Sequence, residues 1–193
     1  MQNPDALRWN ARYLNETGRW ALRNPRHLVS SHLELLPEGG LILDAACGTT
    51  STGRYLAARG WRVLAVDVSL AALQLAHSRA RKEHLPISFA VMDLMNPWFP
   101  PAHFDVILNL YFLSRPLWKH YREALKPGGL LFFETYLSEK GSDPARYLQT
   151  QELRQAYTDW EIIHYLETER QVRSHNGVDG MRWSAQLVAR KPR

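Results

Sequence analysis

The sequence predicts an α/β protein built on a doubly wound, mainly parallel sheet of seven strands, with helices on both faces and an antiparallel hairpin at its C-terminal end. Three observations predict it. Short runs of Val, Ile, Leu and Phe alternate with longer amphipathic stretches. The amphipathic stretches open or close on Ser, Pro or Gly. Near the C-terminus the alternation gives way to two strand-like runs joined by a polar loop. Parallel neighbours need a crossover connection, so the alternation itself calls for helices covering both sides of the sheet.

Five apolar runs read as buried strands: Leu41 to Ala45, Arg62 to Val68, Ile87 to Met92, Phe104 to Asn109 and Leu130 to Tyr136. Between them, Thr52 to Arg59 reads as a helix stopped by Gly60, and Ser69 caps a helix running to about His84 before Pro86. A third helix, Pro116 to Leu125, opens on proline and ends at Lys126-Pro127-Gly128-Gly129. Ahead of the first strand, Pro4 to Asn15 and Pro25 to Leu36 read as helices, with Trp9, Arg12 and Tyr13 sharing one face of the first. After the fifth strand come a helix over Thr150 to Tyr157 and two further strands, Trp160 to Thr168 and Met181 to Ala189. Their connecting loop holds His175-Asn176-Gly177 and Asp179-Gly180.

A length of 193 residues suits one domain over 1–193, divided into an N-terminal helical lid (1–36), a core (41–136) and a C-terminal helix and hairpin (137–193). The single cysteine, Cys47, excludes an internal disulfide and a Cys-rich metal centre and fits a reducing, cytoplasmic setting. No leader or membrane-spanning run is expected. Eight histidines show no paired ligand spacing, so no metal is expected. The net charge of +5 is spread along the chain, which permits an anionic partner without demanding nucleic acid. Neither a Gly-x-Ser-x-Gly elbow nor a phosphate-binding Gly-x-x-x-x-Gly-Lys loop occurs, which removes the main support for hydrolase and nucleoside triphosphatase readings.

In an open parallel sheet, ligands bind outside the carboxyl ends of the strands where the strand order reverses. Those ends carry polar or small residues here: Asp44-Ala45-Ala46-Cys47-Gly48-Thr49-Thr50-Ser51, then Asp67, Asp93, Asn109 and Glu134. The ordered series Ile42-Leu43-Asp44-Ala45-Ala46-Cys47-Gly48, Val66-Asp67-Val68-Ser69, Met92-Asp93-Leu94, Phe104-Asp105-Val106-Ile107 and Leu125-Lys126-Pro127-Gly128-Gly129 resembles the motifs of class I S-adenosylmethionine (SAM) dependent methyltransferases, which share a Rossmann-like sheet. Trp9-Asn10-Ala11-Arg12-Tyr13, Arg115-Pro116-Leu117 and Glu134-Thr135 resemble the small tellurite-resistance-type branch.

The resemblance implies SAM as methyl donor, with S-adenosylhomocysteine as product, and a small-molecule acceptor. It implies that Asp67 accepts from the ribose hydroxyls with Val68 beside it, and that Asp93 and Leu94 hold the adenine. Asp44, Ala46, Gly48 and Thr50 would cradle the methionine half. Asn109 and Leu110 would contact the cofactor through backbone, and Arg12 would close over its carboxylate beneath a lid of Trp9 and Tyr13. Tyr111, Arg115 and Glu134 are the polar candidates on the acceptor side. Structural readings stand beside each role: capping or loop-forming aspartates, and an N-terminal helix packed through its aromatics. Ala46 and Thr50 depart from the glycines usual in the first turn, and a β-branched Thr disfavours positive φ.

Three rivals follow. A SAM-fold binding protein without activity is motivated by Thr50. An RNA methyltransferase predicts Arg19, Arg23, Arg26, Arg54 and Arg59 gathered around the crevice. NAD-dependent oxidoreduction predicts a Gly-x-Gly-x-x-Gly turn that Ala46-Cys47-Gly48-Thr49-Thr50-Ser51 does not supply. Asn109-Leu110-Tyr111-Phe112 lacks the two prolines typical of base-amine methyltransferases. A monomer or weak homodimer is expected.

Overall fold

The computed structural model describes residues 3–16, 24–139, 143–173 and 179–193. Seven strands form one sheet in the order β3-β2-β1-β4-β5-β7-β6. Strands β1 (Leu41–Ala45), β2 (Arg62–Asp67), β3 (Ile87–Val91), β4 (Phe104–Leu110) and β5 (Leu125–Tyr136) run parallel. Strands β6 (Glu161–Arg173) and β7 (Asp179–Arg190) form the antiparallel hairpin, with β7 seated against β5. The loop at His175-Asn176-Gly177 lies outside the described residues.

Successive strand residues bury on opposite faces, as the period of two requires. Leu43, Ile107, Leu131 and Phe133 pack on one side with Leu117 and Tyr121 of helix α5 (Leu117–Ala124) and Leu153 of α6 (Glu152–Ala156). Ile42, Val106, Leu108 and Phe132 pack on the other with Leu28 and Val29 of α2 (His27–Ser30) and Leu56 of α3 (Ser51–Ala57). All of these strand residues are almost wholly buried. Full burial of such a side chain contributes on the order of 2 kcal/mol each, so the sheet is held from both sides.

Helix α4 (Leu70–Lys82) begins where Ser69 Oγ accepts from Ala72 N–H at 3.1 Å, the cap read from the sequence. Helix α1 (Pro4–Asn15) is capped by Asn3, whose side-chain oxygen accepts from the amides of Asp5 and Ala6. α1 lies along α4, where Asn10 Oδ1 accepts from Ser69 Oγ at 2.9 Å and from Ala71 N–H at 3.0 Å.

The helix expected over Pro25 to Leu36 is instead one turn of α2 followed by a 3₁₀ turn at Leu33–Leu35. Side chains at its midpoint compete with the helical ladder: Ser31 Oγ donates to the His27 carbonyl at 2.6 Å, and His32 Nδ1 lies 2.9 Å from the Leu28 carbonyl. Strand β5 begins at Leu125, earlier than expected. There the Gly128–Gly129 segment exchanges backbone hydrogen bonds with Lys191 beyond β7.

Candidate active site

The strand order reverses between β1 and β4, and a cavity of about 420 Å³ opens beyond their carboxyl ends. That volume falls within the usual range for small-molecule sites. Asp44, Ala46, Gly48, Asp67, Val68, Asp93, Leu94, Leu110 and Tyr111, all read from the sequence, line it. Trp9 and Tyr13 of α1 line it too, so the N-terminal helix covers the crevice.

The turn after β1 decides the shape of the cavity floor. Ala46, Gly48 and Thr50 have φ of 51°, 54° and 46°, an alternation of left-handed residues that lets the chain leave β1 and enter α3 within a few residues. Left-handed geometry costs a side-chain-bearing residue about 1–2 kcal/mol. At Thr50 the hydroxyl offsets that cost, donating to Asp44 Oδ2 at 2.7 Å. Gly53 makes the bond possible, since a Cβ there would collide with Thr50 Oγ1. Gly48 is needed for a different reason: a Cβ would run into the Tyr13 hydroxyl.

Two carboxylates are fixed at this end. Asp67 is buried, with Oδ2 accepting from Gly48 N–H and Oδ1 from Ser69 N–H, both at 2.8 Å. Asp44 is buried beside it, and desolvation raises its pKa to about 6, against the Thr50 hydrogen bond and with a further push from the Asp67 charge. Burial likewise raises Asp67, while the amides of Ser69 and Gly48 hold it back. Burial, with Asp44 and Asp67 nearby, holds the Cys47 thiol well above its ordinary value, so it stays protonated. Asp93 accepts from Met95 N–H at 2.9 Å and from Asn3 Nδ2 at 2.7 Å, which ties the start of α1 to the residues after β3.

The opposite wall is aromatic and cationic. Tyr111, at φ 69°, leaves β4 in a left-handed bend and meets Tyr136 at a ring-centroid distance of 4.8 Å. The Arg26 guanidinium lies over the Tyr111 ring at 4.3 Å, and its backbone N–H donates to Thr52 Oγ1 at 3.1 Å. Behind the ring, Tyr111 OH donates to Glu134 at 2.8 Å. Gln186 Nε2 of β7 donates to the same Glu134 oxygen at 3.0 Å, and Arg170 of β6 pairs with it at 3.2 Å.

Five expected site residues lie outside the cavity lining. Arg12 stacks on Trp9 at 4.8 Å and pairs with Glu16 at 3.5 Å rather than reaching over the crevice. Thr50 turns onto Asp44. Asn109 is a buried strut: its Nδ2 donates to the Phe112 carbonyl at 2.6 Å and its Oδ1 accepts from Tyr121 OH at 2.8 Å. Arg115 pairs with Glu152 and donates to the carbonyls of Pro144 and Tyr147, tying down residues 144–152. Glu134 is fully buried and reaches the cavity only through Tyr111.

Sequence reasoning did not assign Asn3 a role and weighed Arg26 only as one of an RNA-binding cluster. That cluster does not assemble among the described residues. Arg54 pairs with Glu83, Arg59 stacks on Tyr55, and Arg26 alone of those described lines the cavity, while Arg19 and Arg23 lie outside the described residues. Among the described residues no group of three His, Cys, Asp or Glu side chains is arranged to hold a metal ion. Nor is any described helix long and apolar enough to cross a membrane.

A sheet with β1 and β4 at its middle, a terminal antiparallel hairpin, and carboxylates at the ends of β1, β2 and β3 around one crevice give the chain the fold of SAM-dependent methyltransferases of known structure. Residues 42–129 match the methyltransferase domain family. The ubiquinone biosynthesis O-methyltransferase of Coxiella burnetii is 29% identical over 119 residues, covering 59% of this chain and 51% of that protein. The chain thus spans about half the length of the curated relatives it matches.

Among solved structures, TehB from Haemophilus influenzae superposes with a TM-score of 0.75 at 22% identity, covering 95% of this chain and 67% of that one. A structure solved in work on the conversion of a disulfide bond into a thioacetal group during echinomycin biosynthesis gives a TM-score of 0.77 at 20% identity, covering 97% and 93%. At these identities the structural likenesses speak to the fold.

Proposed function

We propose that this chain transfers a methyl group from SAM to a small-molecule nucleophile by in-line displacement. The observation that carries the reading is the grouping of Asp44, Asp67 and Asp93 around one cavity beside a glycine-bearing left-handed turn. The donor and acceptor set fits an adenosyl sulfonium. Each Asp67 oxygen spends one lone pair on a backbone amide and keeps another for a ribose hydroxyl. Asp93 suits an exocyclic amine, with Leu94 against the base. Asp44 suits an ammonium, and a cation beside it favours its ionised form.

Bound SAM supplies a methyl group on an already activated sulfonium. The protein's share is therefore positioning and exclusion of water, which supply much of the acceleration in such a reaction. Trp9 and Tyr13 cover the cavity from α1, and the Asn3 and Asn10 hydrogen bonds hold that helix down. Tyr111 and Phe112 line the end nearest β4 and β5, where an acceptor would lie. The ubiquinone-pathway name of the Coxiella relative supports a small acceptor.

Calorimetric titration with SAM, followed by transfer assays from labelled SAM over a panel of thiols, phenols and oxyanions, tests the proposal. A binding heat that Asp67→Ala removes, with transfer to at least one class, supports it. Absence of any heat overturns it, and a heat without transfer across the panel favours a binding protein.

A further inference from the structure

We propose that the Arg26 end of the cavity takes a planar aromatic anion as the methyl acceptor, its charge held by the guanidinium and its ring set against Tyr111 and Tyr136. As a statement about the acceptor it rests on the methyl-transfer reading, but the anion site itself is testable apart from it.

Charge is segregated within the cavity. The carboxylates of Asp44, Asp67 and Asp93 gather at the ends of β1, β2 and β3, whereas Arg26 sits against the residues following β4. Among the described residues Arg26 has no carboxylate within ion-pair distance, while the cavity's other guanidinium, on Arg8, is tied to Asp5 at 2.9 Å. The Arg26 backbone is anchored by Thr52 and its guanidinium sits over the Tyr111 ring, 4.3 Å from the centroid. A guanidinium fixed in that way recognises a planar anion at little further entropic cost. Tyr136 continues the aromatic surface beside Tyr111.

Among the described residues the same wall exposes no base to the cavity. Glu134 is sealed behind Tyr111 with one oxygen already receiving Tyr111, Gln186 and Arg170. Burial and the adjacent Glu134 charge hold the Tyr111 phenol above its ordinary value, so it remains a donor. No histidine among the described residues lines the cavity. An acceptor at this end therefore arrives already ionised, as an aromatic carboxylate, thiolate or acidic phenolate. The anion attacks the methyl carbon, the carbon–sulfur bond breaks with its electron pair going to sulfur, and a neutral methylated product and thioether result without a proton transfer.

The test compares 2-naphthoate with 2-naphthamide, alike in shape and different in charge, by equilibrium binding to the wild type, Arg26→Gln and Arg26→Lys, with SAM titrated into each protein. A charge-assisted contact is worth roughly tenfold or more in affinity. Wild type is expected to prefer naphthoate by that factor, Arg26→Gln to lose the preference and Arg26→Lys to keep part of it, all with SAM affinity little changed. The unchanged SAM heat also shows that the variants are folded. Equal affinity of the two probes in the wild type overturns the proposal. So does an Arg26→Gln variant that weakens SAM while leaving the naphthoate preference intact, since the guanidinium would then serve the cofactor. A naphthoate preference that depends on Arg26 but comes with no SAM heat supports the anion site and removes the methyl-transfer reading instead.

Discussion

Thr50 Oγ1 donates to Asp44 Oδ2 at 2.7 Å from a residue with φ of 46°, so one hydrogen bond holds both a buried carboxyl and a left-handed turn. Removing the hydroxyl while keeping a Cβ leaves the backbone cost without its compensation. Thr50→Ala is expected to destabilise by about 2 kcal/mol. Thr50→Gly loses the same bond but relieves the backbone, and is expected to be the more stable of the two by about 1 kcal/mol. Denaturant midpoints of the two variants decide it, and equal midpoints would show that the turn stores no strain.

The Asp44 carboxyl titrates near 6 in the fold against an ordinary value of 3.8. The folded state thus binds this proton more tightly than the unfolded chain. Its contribution to stability is greatest below pH 4, falls as pH rises from about 4 to 6 and is level above that, a change on the order of 3 kcal/mol. Asp44→Asn, which keeps an acceptor for Thr50, should remove this slope. The measurement is the difference in Tm between wild type and variant across that window; a constant difference refutes the assignment.

Tyr111→Phe keeps the ring and removes one of the donors to Glu134. A stability loss of about 1–3 kcal/mol is expected from the under-satisfied buried carboxylate. Methyl transfer should persist within a few-fold, with an unchanged pH profile, because Tyr111 is not the base. Loss of turnover at unaltered SAM affinity would contradict that.

Asn3→Ala removes both the α1 cap and the tether to Asp93. A cost of about 1 kcal/mol is expected from the cap alone. Amide exchange should accelerate along Pro4–Asn15 while β1 and β2 stay protected. Exchange that rises equally throughout would mean that α1 does not move apart from the core.

Arg115→Ala should lower thermal stability by freeing Pro144, Tyr147 and Glu152 from the guanidinium that holds them. SAM affinity and acceptor KM should be unchanged. A selective rise in KM would restore Arg115 to the acceptor side.

The alternation of strands and helices was legible because each buried strand needs a continuous apolar run and each connection needs a stop. Ser69 and Gly60 were readable as punctuation for that reason. The carboxylates at 44, 67 and 93 were legible too, since strand ends in this topology converge. Arg26 and Asn3 were not, because their significance depends on Tyr111 and Asp93, which lie far along the chain and say nothing locally. Thr50 was read as a departure in the turn, yet its fit depends on Gly53 and Asp44 together. Arg115 and Asn109 stand beside motif residues in sequence but turn their side chains into scaffolding.

The outer edge of β5 is covered by β7, made after β6, and not by β6 itself. During synthesis the half-built sheet therefore presents an open hydrogen-bonding edge, with the Glu134 carboxylate still without its Gln186 donor, until β7 leaves the ribosome. Nascent chains halted within the hairpin carry that unpaired edge and are the forms most exposed to aggregation.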